Sequence, residues 1–319
     1  MDILTCVWFL LLLLLRECEG GDVTRRDVRS PHAGNSSLST CGHGHLQGYV
    51  GTCPGNGVCL RKLQRDAKTT WRDISEVDQT RTLLLYVPGS ADIVHLAFVT
   101  LLTDFQWRNG VYGSVGELGT GEGKFTAVLS FNTDLEAGER LVLSDAFDKP
   151  PASMPMMAKL DSFRHFLKPW GFTTSGERRV YAHRGQSADV DREMLLAWNL
   201  PWQFRLVSVD GRQDAVSLLR CLERAACILR DGGVVVVDGV DSDASPARSA
   251  LKHFLNSRTR SAFSPLLLAK DKLYLCTTNW RQRFARLLVS HVELVVAYDI
   301  KERTDSGFGP VLSYFYMDR

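Results

Sequence analysis

The feature that most restricts this chain is a regular alternation of strand-like and helix-like segments between Val111 and Leu275. Val111 to Leu118 reads as a strand running into a glycine-rich turn, and Lys124 to Phe131 as a short helix. Arg140 to Ser144 is strand-like and ends at Asp145, and Met154 to Leu167 is helical. Arg179 to His183 is a strand followed by a helix through Leu196. Phe204 to Val209 is a strand ending at Asp210, and Asp214 to Leu229 is a helix with Leu218, Leu222, Ala225 and Leu229 on one face. Val234 to Val237 is a strand ending at Asp238, and Ser249 to Phe254 is a helix. Leu266 to Leu268 and Leu273 to Leu275 form a last strand pair. Strands that alternate with helices need cover on both faces. The pattern therefore predicts an α/β, Rossmann-like doubly wound sheet, mostly parallel, with a terminal antiparallel strand.

Before this region lies a different kind of sequence. Ile3 to Leu15 is an almost unbroken apolar run, closed by Arg16 and Glu17. It falls short of the roughly 20 apolar residues a bilayer-spanning helix needs, and its length suits the core of a secretory signal. The reading is a signal peptide over 1–20, cleaved near Gly20, with no stable membrane span afterwards. An uncleaved anchor and a buried N-terminal helix are the alternatives. Asn35-Ser36-Ser37 is an N-glycosylation sequon in a polar stretch, consistent with passage through the secretory pathway. The expected location is therefore secreted, or the lumen of the ER or Golgi.

The organisation that follows is a loop-rich cysteine-containing segment at 21–60 and a helical extension at 61–104. The α/β domain spans 105–280 and a C-terminal extension spans 281–319. In the extension at 61–104, Ile93 to Trp107 has near-helical apolar spacing and reads as an amphipathic helix running on into the domain. Cys41, Cys53 and Cys59 sit in the loop-rich segment, where a disulfide is useful. Cys221, Cys227 and Cys276 fall in helix and strand, where free thiols act as small apolar residues. Cys41-Gly42-His43-Gly44-His45 matches no standard zinc spacing. The net charge is +2 and the basic residues are scattered, so no stripe for nucleic acid is present. Arg281, Arg283 and Arg286 read as a solvated helix face.

The chemistry-bearing motif is Glu117-Leu118-Gly119-Thr120-Gly121-Glu122-Gly123, between a strand and a helix. Glycines there let the backbone approach a ligand, and the following helix N-terminus favours negative charge. A dinucleotide fingerprint would need glycine at 124, which is Lys. Asp145 ends the next strand, about twenty residues on, where an acid can accept both ribose hydroxyls. Asp210 and Asp238 end the fourth and fifth strands. In an open parallel sheet the carboxyl ends of the strands line the ligand crevice.

These stretches resemble class I S-adenosylmethionine-dependent methyltransferases, most closely the catechol and caffeoyl-CoA O-methyltransferase-like branch. The glycine motif is similar to their first motif, and Val142-Leu143-Ser144-Asp145 to their ribose-binding strand. Gly185-Gln186-Ser187-Ala188-Asp189 is similar to the loop that holds adenine. Phe204 to Gly211 and Leu229 to Asp238 are similar to the fourth and fifth strands with their preceding turn. The resemblance covers about half of the chain. It implies S-adenosyl-L-methionine as cofactor, held by Glu117, Gly119, Thr120, Gly121, Gly123, Asp145, Gln186, Ser187 and Asp210. The turn would meet the methionine end, Asp145 the ribose, and Gln186 or Ser187 the adenine.

The departures concern catalysis. The branch binds a divalent cation through acids ending the fourth and fifth strands and a following Asn. Here Asp210 and Asp238 are the candidate ligands, but Gly239 holds the Asn position. Weak or absent metal binding is expected, with activity that survives chelation. The basic residue expected after the fourth strand is replaced by Gly211, Arg212 and Gln213. The candidate catalytic groups are Asp210 and His183. The resemblance thus implies a methyltransferase acting on a small molecule or a protein, by O- or N-methylation. The competing reading is a secreted, non-catalytic binding or interaction protein that keeps the fold. An NAD(P)-dependent oxidoreductase is a third, disfavoured by Lys124 and the Gly232-Gly233 turn. The sequence names neither the acceptor nor the oligomeric state.

Overall fold

The computed structural model describes residues 89–313 apart from 92, 136, 148–166, 169–171, 174–179, 199, 201–202, 241–243, 258–261, 292–299 and 305–306. The expected signal peptide, the sequon at Asn35, the cysteines at 41, 53 and 59, and nearly all of the helix expected at Met154–Leu167 lie outside these residues.

The described chain opens with helix α1 (Ile93–Arg108) and then alternates. Strand β1 (Ser114–Leu118) leads into α2 (Lys124–Phe131), followed by β2 (Leu141–Asp145) and β3 (Tyr181–Arg184). Helix α3 (Arg192–Ala197) precedes β4 (Phe204–Val209), and α4 (Ala215–Ile228) precedes β5 (Leu229–Val237). Helix α5 (Pro246–Asn256), the hairpin β6 (Phe263–Ala269) and β7 (Lys272–Thr277), and α6 (Arg281–Ser290) come next. Strands β8 (Lys301–Arg303) and β9 (Val311–Ser313) close the described chain. Among the described residues all strands join one nine-stranded sheet in the order β3-β2-β1-β4-β5-β7-β6-β9-β8. The strands from β3 to β5 are parallel, while β7 is antiparallel to both β5 and β6.

Side-chain alternation explains why β5 is apolar without interruption. Val234 and Val236 enter the core on one face, with α1, α2 and α6. Val235 and Val237 enter the core on the other face, with α3, α4 and α5. A strand covered on both faces has no polar side to show. The helices begin where side chains can cap them. Asp214 accepts from the backbone N–H groups of Val216 and Ser217, Asp191 from Met194, and Ser245 from Arg248 with Pro246 in the first turn.

Several expectations need correction. The helix expected from Ile93 is present but not amphipathic, since Val94 through Thr103 are all buried. It therefore spans the expected domain boundary at 105 and belongs to the core. Within the expected extension at 281–319, α6 packs its Phe284 and Leu288 into the core, and β9 pairs in parallel with β6. Gly232 and Gly233 are not a turn before the fifth strand but lie within β5, where a register shift accompanies Gly232 at φ +78°. Cys227 is disulfide-bonded, whereas Cys221 and Cys276 are free and buried.

Candidate functional site

Gly119, Gly121 and Gly123 adopt φ of +88°, +49° and +88°, so the turn after β1 takes a left-handed course that L side chains resist. A Cβ at Gly119 would lie 2.8 Å from the Asp210 Cβ, too close to coexist. Helix α2 follows directly, and no side chain caps its first turn. Its N–H groups are thus available to a ligand. Around the turn is a cleft lined by Ser90, Glu117, Gly119, Thr120, Lys124, Asp210, Arg212 and Asp238 among others.

Each acid at this edge has a distinct partner. Asp145 Oδ2 accepts from both the backbone N–H and the hydroxyl of Thr120, each at 2.8 Å. Its Oδ1 accepts from Phe147 N at 3.0 Å. Asp210 Oδ1 accepts from Arg212 N and Arg212 Nε, both at 3.1 Å. Asp238 Oδ1 lies 2.7 Å from Lys272 Nζ, and Asp238 Oδ2 accepts from the Ser90 hydroxyl at 2.7 Å. Glu117 is buried at the end of β1 and hydrogen-bonded to the Thr126 hydroxyl. Burial pushes its carboxyl up to about 8, with Asp210 and Asp145 adding to the rise against Thr126 and Lys272.

The structure gathers Glu117, Gly119, Thr120, Gly121, Gly123, Asp145 and Asp210 around one turn. Asp210 and Asp238 end adjacent strands, as the sequence suggests, since β4 pairs with β5. Ser187 lies beside the end of β2, its hydroxyl donating to Ser144 O at 3.3 Å, while Gln186 is exposed. His183 does not join Asp210 and Asp238. It sits on edge strand β3, with β2 and β1 between it and Asp210. At the usual strand spacing that is roughly 14 Å, beyond the reach of a proton transfer. Two residues that sequence reasoning missed enter the site instead. Lys272 begins β7, and Ser90 precedes α1. A lysine at the start of a hairpin strand carries no signal of its own, because only strand order decides which acid it meets.

A divalent cation does not fit what is present. Asp238 is already neutralised by a buried ammonium and bridged by Ser90, Asp210 is paired to Arg212, and Gly239 has no side chain to offer. Among the described residues no cluster of three His, Cys, Asp or Glu side chains stands ready for a metal.

The strand order bears on the type of fold. The dinucleotide-binding order runs 3-2-1-4-5-6 with all strands parallel. Here the sheet keeps β3-β2-β1-β4-β5 and then inserts antiparallel β7. With the glycine turn, this is the arrangement expected from the sequence. The chain has a Rossmann-like fold with an antiparallel strand inserted beside β5. Solved structures of methyltransferases are similar to it. The O-methyltransferase NovP is 17% identical, with 63% of this chain and 88% of that one covered and a TM-score of 0.47. CalS11, a TDP-rhamnose 3'-O-methyltransferase, is 18% identical over 65% of this chain and 96% of that one, with a TM-score of 0.42. An O-methyltransferase from Bacillus cereus in complex with SAH is 17% identical over 65% of this chain and 92% of that one, with a TM-score of 0.43. No family model and no curated protein matches the sequence.

Proposed function

We propose that this protein is an S-adenosylmethionine-dependent methyltransferase of the secretory pathway, acting on an oxygen or nitrogen of a small molecule or a protein. The observation that carries the reading is the left-handed Gly119–Gly123 turn, opening onto an uncapped helix and flanked by Asp145 and Asp210. When bound, the cofactor would supply an electrophilic methyl group for an acceptor's lone pair. The residues hold and align. The turn and the α2 N-terminus receive the methionyl end, Asp145 the ribose, and Asp210 Oδ2, on the Gly121 side, the ammonium. The groups directly after β4, Gly211, Arg212 and Gln213, supply no base near neutral pH.

The secretory assignment draws on two features. One is the apolar run at Ile3–Leu15. The other is the Cys227 disulfide, since disulfides persist chiefly in oxidising compartments. Burial pushes the free Cys221 and Cys276 thiols up to about 11 and 12, so neither is a reactive redox group.

The second reading, a secreted binding protein without turnover, is favoured by that same missing base. Calorimetry with S-adenosylhomocysteine and a turnover assay with labelled methyl donor separate the two. Binding with transfer supports the enzyme, and binding without transfer to any acceptor pool supports the second reading. Absence of binding sinks the enzyme and leaves an interaction protein that keeps only the fold. Protein from a eukaryotic secretory host should begin near residue 21 and lose mass on deglycosylation at Asn35. An intact N-terminus on cytosolic protein would overturn the location.

A further inference from the structure

We infer that Lys272 is a resident cation that takes over, at the edge of β5, the electrostatic task a divalent metal performs in metal-using enzymes of this fold. The inference rests on the proposed function only for that comparison; the contacts stand by themselves.

Strand β7 runs antiparallel to β5 with Leu273 opposite Val237, so Lys272 comes level with Asp238. Only an antiparallel neighbour can bring its first residue to the carboxyl ends of the parallel strands, where ligands bind. There the ammonium makes a closed arrangement. It lies 2.7 Å from Asp238 Oδ1 and donates to the Ser90 hydroxyl at 2.9 Å, while Ser90 donates to Asp238 Oδ2 at 2.7 Å. Asp271 Oδ2 lies 3.9 Å away, and the Phe125 ring centroid 5.3 Å away. Lys272 is 1% exposed, so this charge is screened little by solvent. His95, packed beneath on α1, lies 3.7 Å from Asp271 Oδ1 and 3.1 Å from the Tyr274 hydroxyl. A metal at Asp238 would have to enter beside a buried ammonium, and like charges at that range repel. Lys272 does not line the cleft; Ser90 and Asp238 do. Its role is therefore positioning. It holds the Asp238 carboxylate and the Ser90 hydroxyl in one fixed arrangement at the cleft wall.

The test reads metal binding, without methyl transfer. Mn²⁺ is titrated into the full chain and followed by electron paramagnetic resonance. The native protein should show no site tighter than the millimolar range. Lys272→Met with Gly239→Asn removes the ammonium and restores the missing ligand; Gly239 at φ +73° suits Asn, and a Cβ there meets nothing nearer than 3.4 Å. This variant should gain Mn²⁺ affinity by at least tenfold, and adding Asp238→Asn should abolish the gain. A micromolar Mn²⁺ site in the native protein that Asp238→Asn removes would overturn the inference, as would a folded Lys272→Met/Gly239→Asn variant with no gain. If that variant does not fold, the native titration decides alone, and Lys272→Arg, which keeps the charge, should match the native protein. Loss of S-adenosylhomocysteine binding in the native protein would count against the proposed function and leave this result standing.

Discussion

Thr120 grips Asp145 twice, its backbone N–H and its hydroxyl both donating to Oδ2 at 2.8 Å. Asp145 is thus tied to the glycine turn, and in the proposed cofactor site this would set the ribose acid relative to the turn. Asp145→Ala removes the acceptor for two ribose hydroxyls and also releases Thr120. The expected loss of S-adenosylhomocysteine affinity is roughly 1–3 kcal/mol, about 5- to 150-fold. Thr120→Val keeps the backbone bond and should lose less. Calorimetry showing the same affinity in Asp145→Ala as in the native protein would remove Asp145 from the site.

The glycines of the turn should separate into two classes. At Gly119 a new Cβ would meet the Asp210 Cβ at 2.8 Å, and φ is +88°. Nothing there can swing away, so Gly119→Ala should lower the melting temperature as well as ligand affinity. At Gly121, with φ +49°, the nearest atom is the end of the half-exposed Arg212 side chain, which can shift at the cost of its pair with Asp210. Gly121→Ala should therefore abolish ligand binding with a smaller fall in melting temperature, since backbone strain alone, without a fixed clash, opposes it. Equal thermal losses in both variants would contradict this distinction.

Glu117 makes stability depend on pH. Its carboxyl is raised from 4.5 to about 8 by burial, so the folded protein keeps a proton that the unfolded chain gives up. That contribution is complete below about 4.5 and is lost as pH rises through about 8. Glu117→Gln cannot ionise and should flatten the decline. Urea midpoints at acidic, neutral and mildly alkaline pH would show the native and variant curves diverging, and parallel curves would mean that Glu117 is ionised throughout.

Arg205, at the start of β4, is fully buried against Glu139 in a bidentate pair at 2.5 and 2.6 Å. It also donates to Thr103 and Gln106 of α1, each at 3.2 Å, and so ties that helix to the sheet. Arg205→Met would strand a buried carboxylate, at a cost of roughly 3–5 kcal/mol. The double change Arg205→Met with Glu139→Met should recover most of that loss. Denaturant unfolding of the three proteins checks both statements, and a single-variant loss below about 1 kcal/mol would mean the pair is not closed in solution.

The sheet was legible because its causes are local. An unbroken valine run such as Val234–Val237 needs cover on both faces, and the acids at 145, 210 and 238 end strands whose limits the apolar pattern marks. The extent of the domain was harder to read. Ile93–Arg108 looks like a surface helix by spacing, yet its polar positions, His95, Thr100, Thr103 and Gln106, are buried. Their partners lie far along the chain: Tyr274 for His95, and Arg205 for Thr103 and Gln106. A periodic pattern cannot tell a polar residue facing water from one facing a distant donor.

The sequence by itself determined the strand–helix alternation, the glycine turn and the acids at the strand ends, because each depends on neighbours a few residues away. Tertiary structure alone decided which charges meet. Lys272 reaches Asp238 across 34 positions of sequence, because β7 turns antiparallel beside β5, and Ser90 arrives from the opposite end of the domain, 148 positions away. The same strand order leaves His183 on the far edge of the sheet. Charge pairing depends on distance in space, and strand order sets that distance, so no reading of spacing along the chain could have placed this ammonium on this acid.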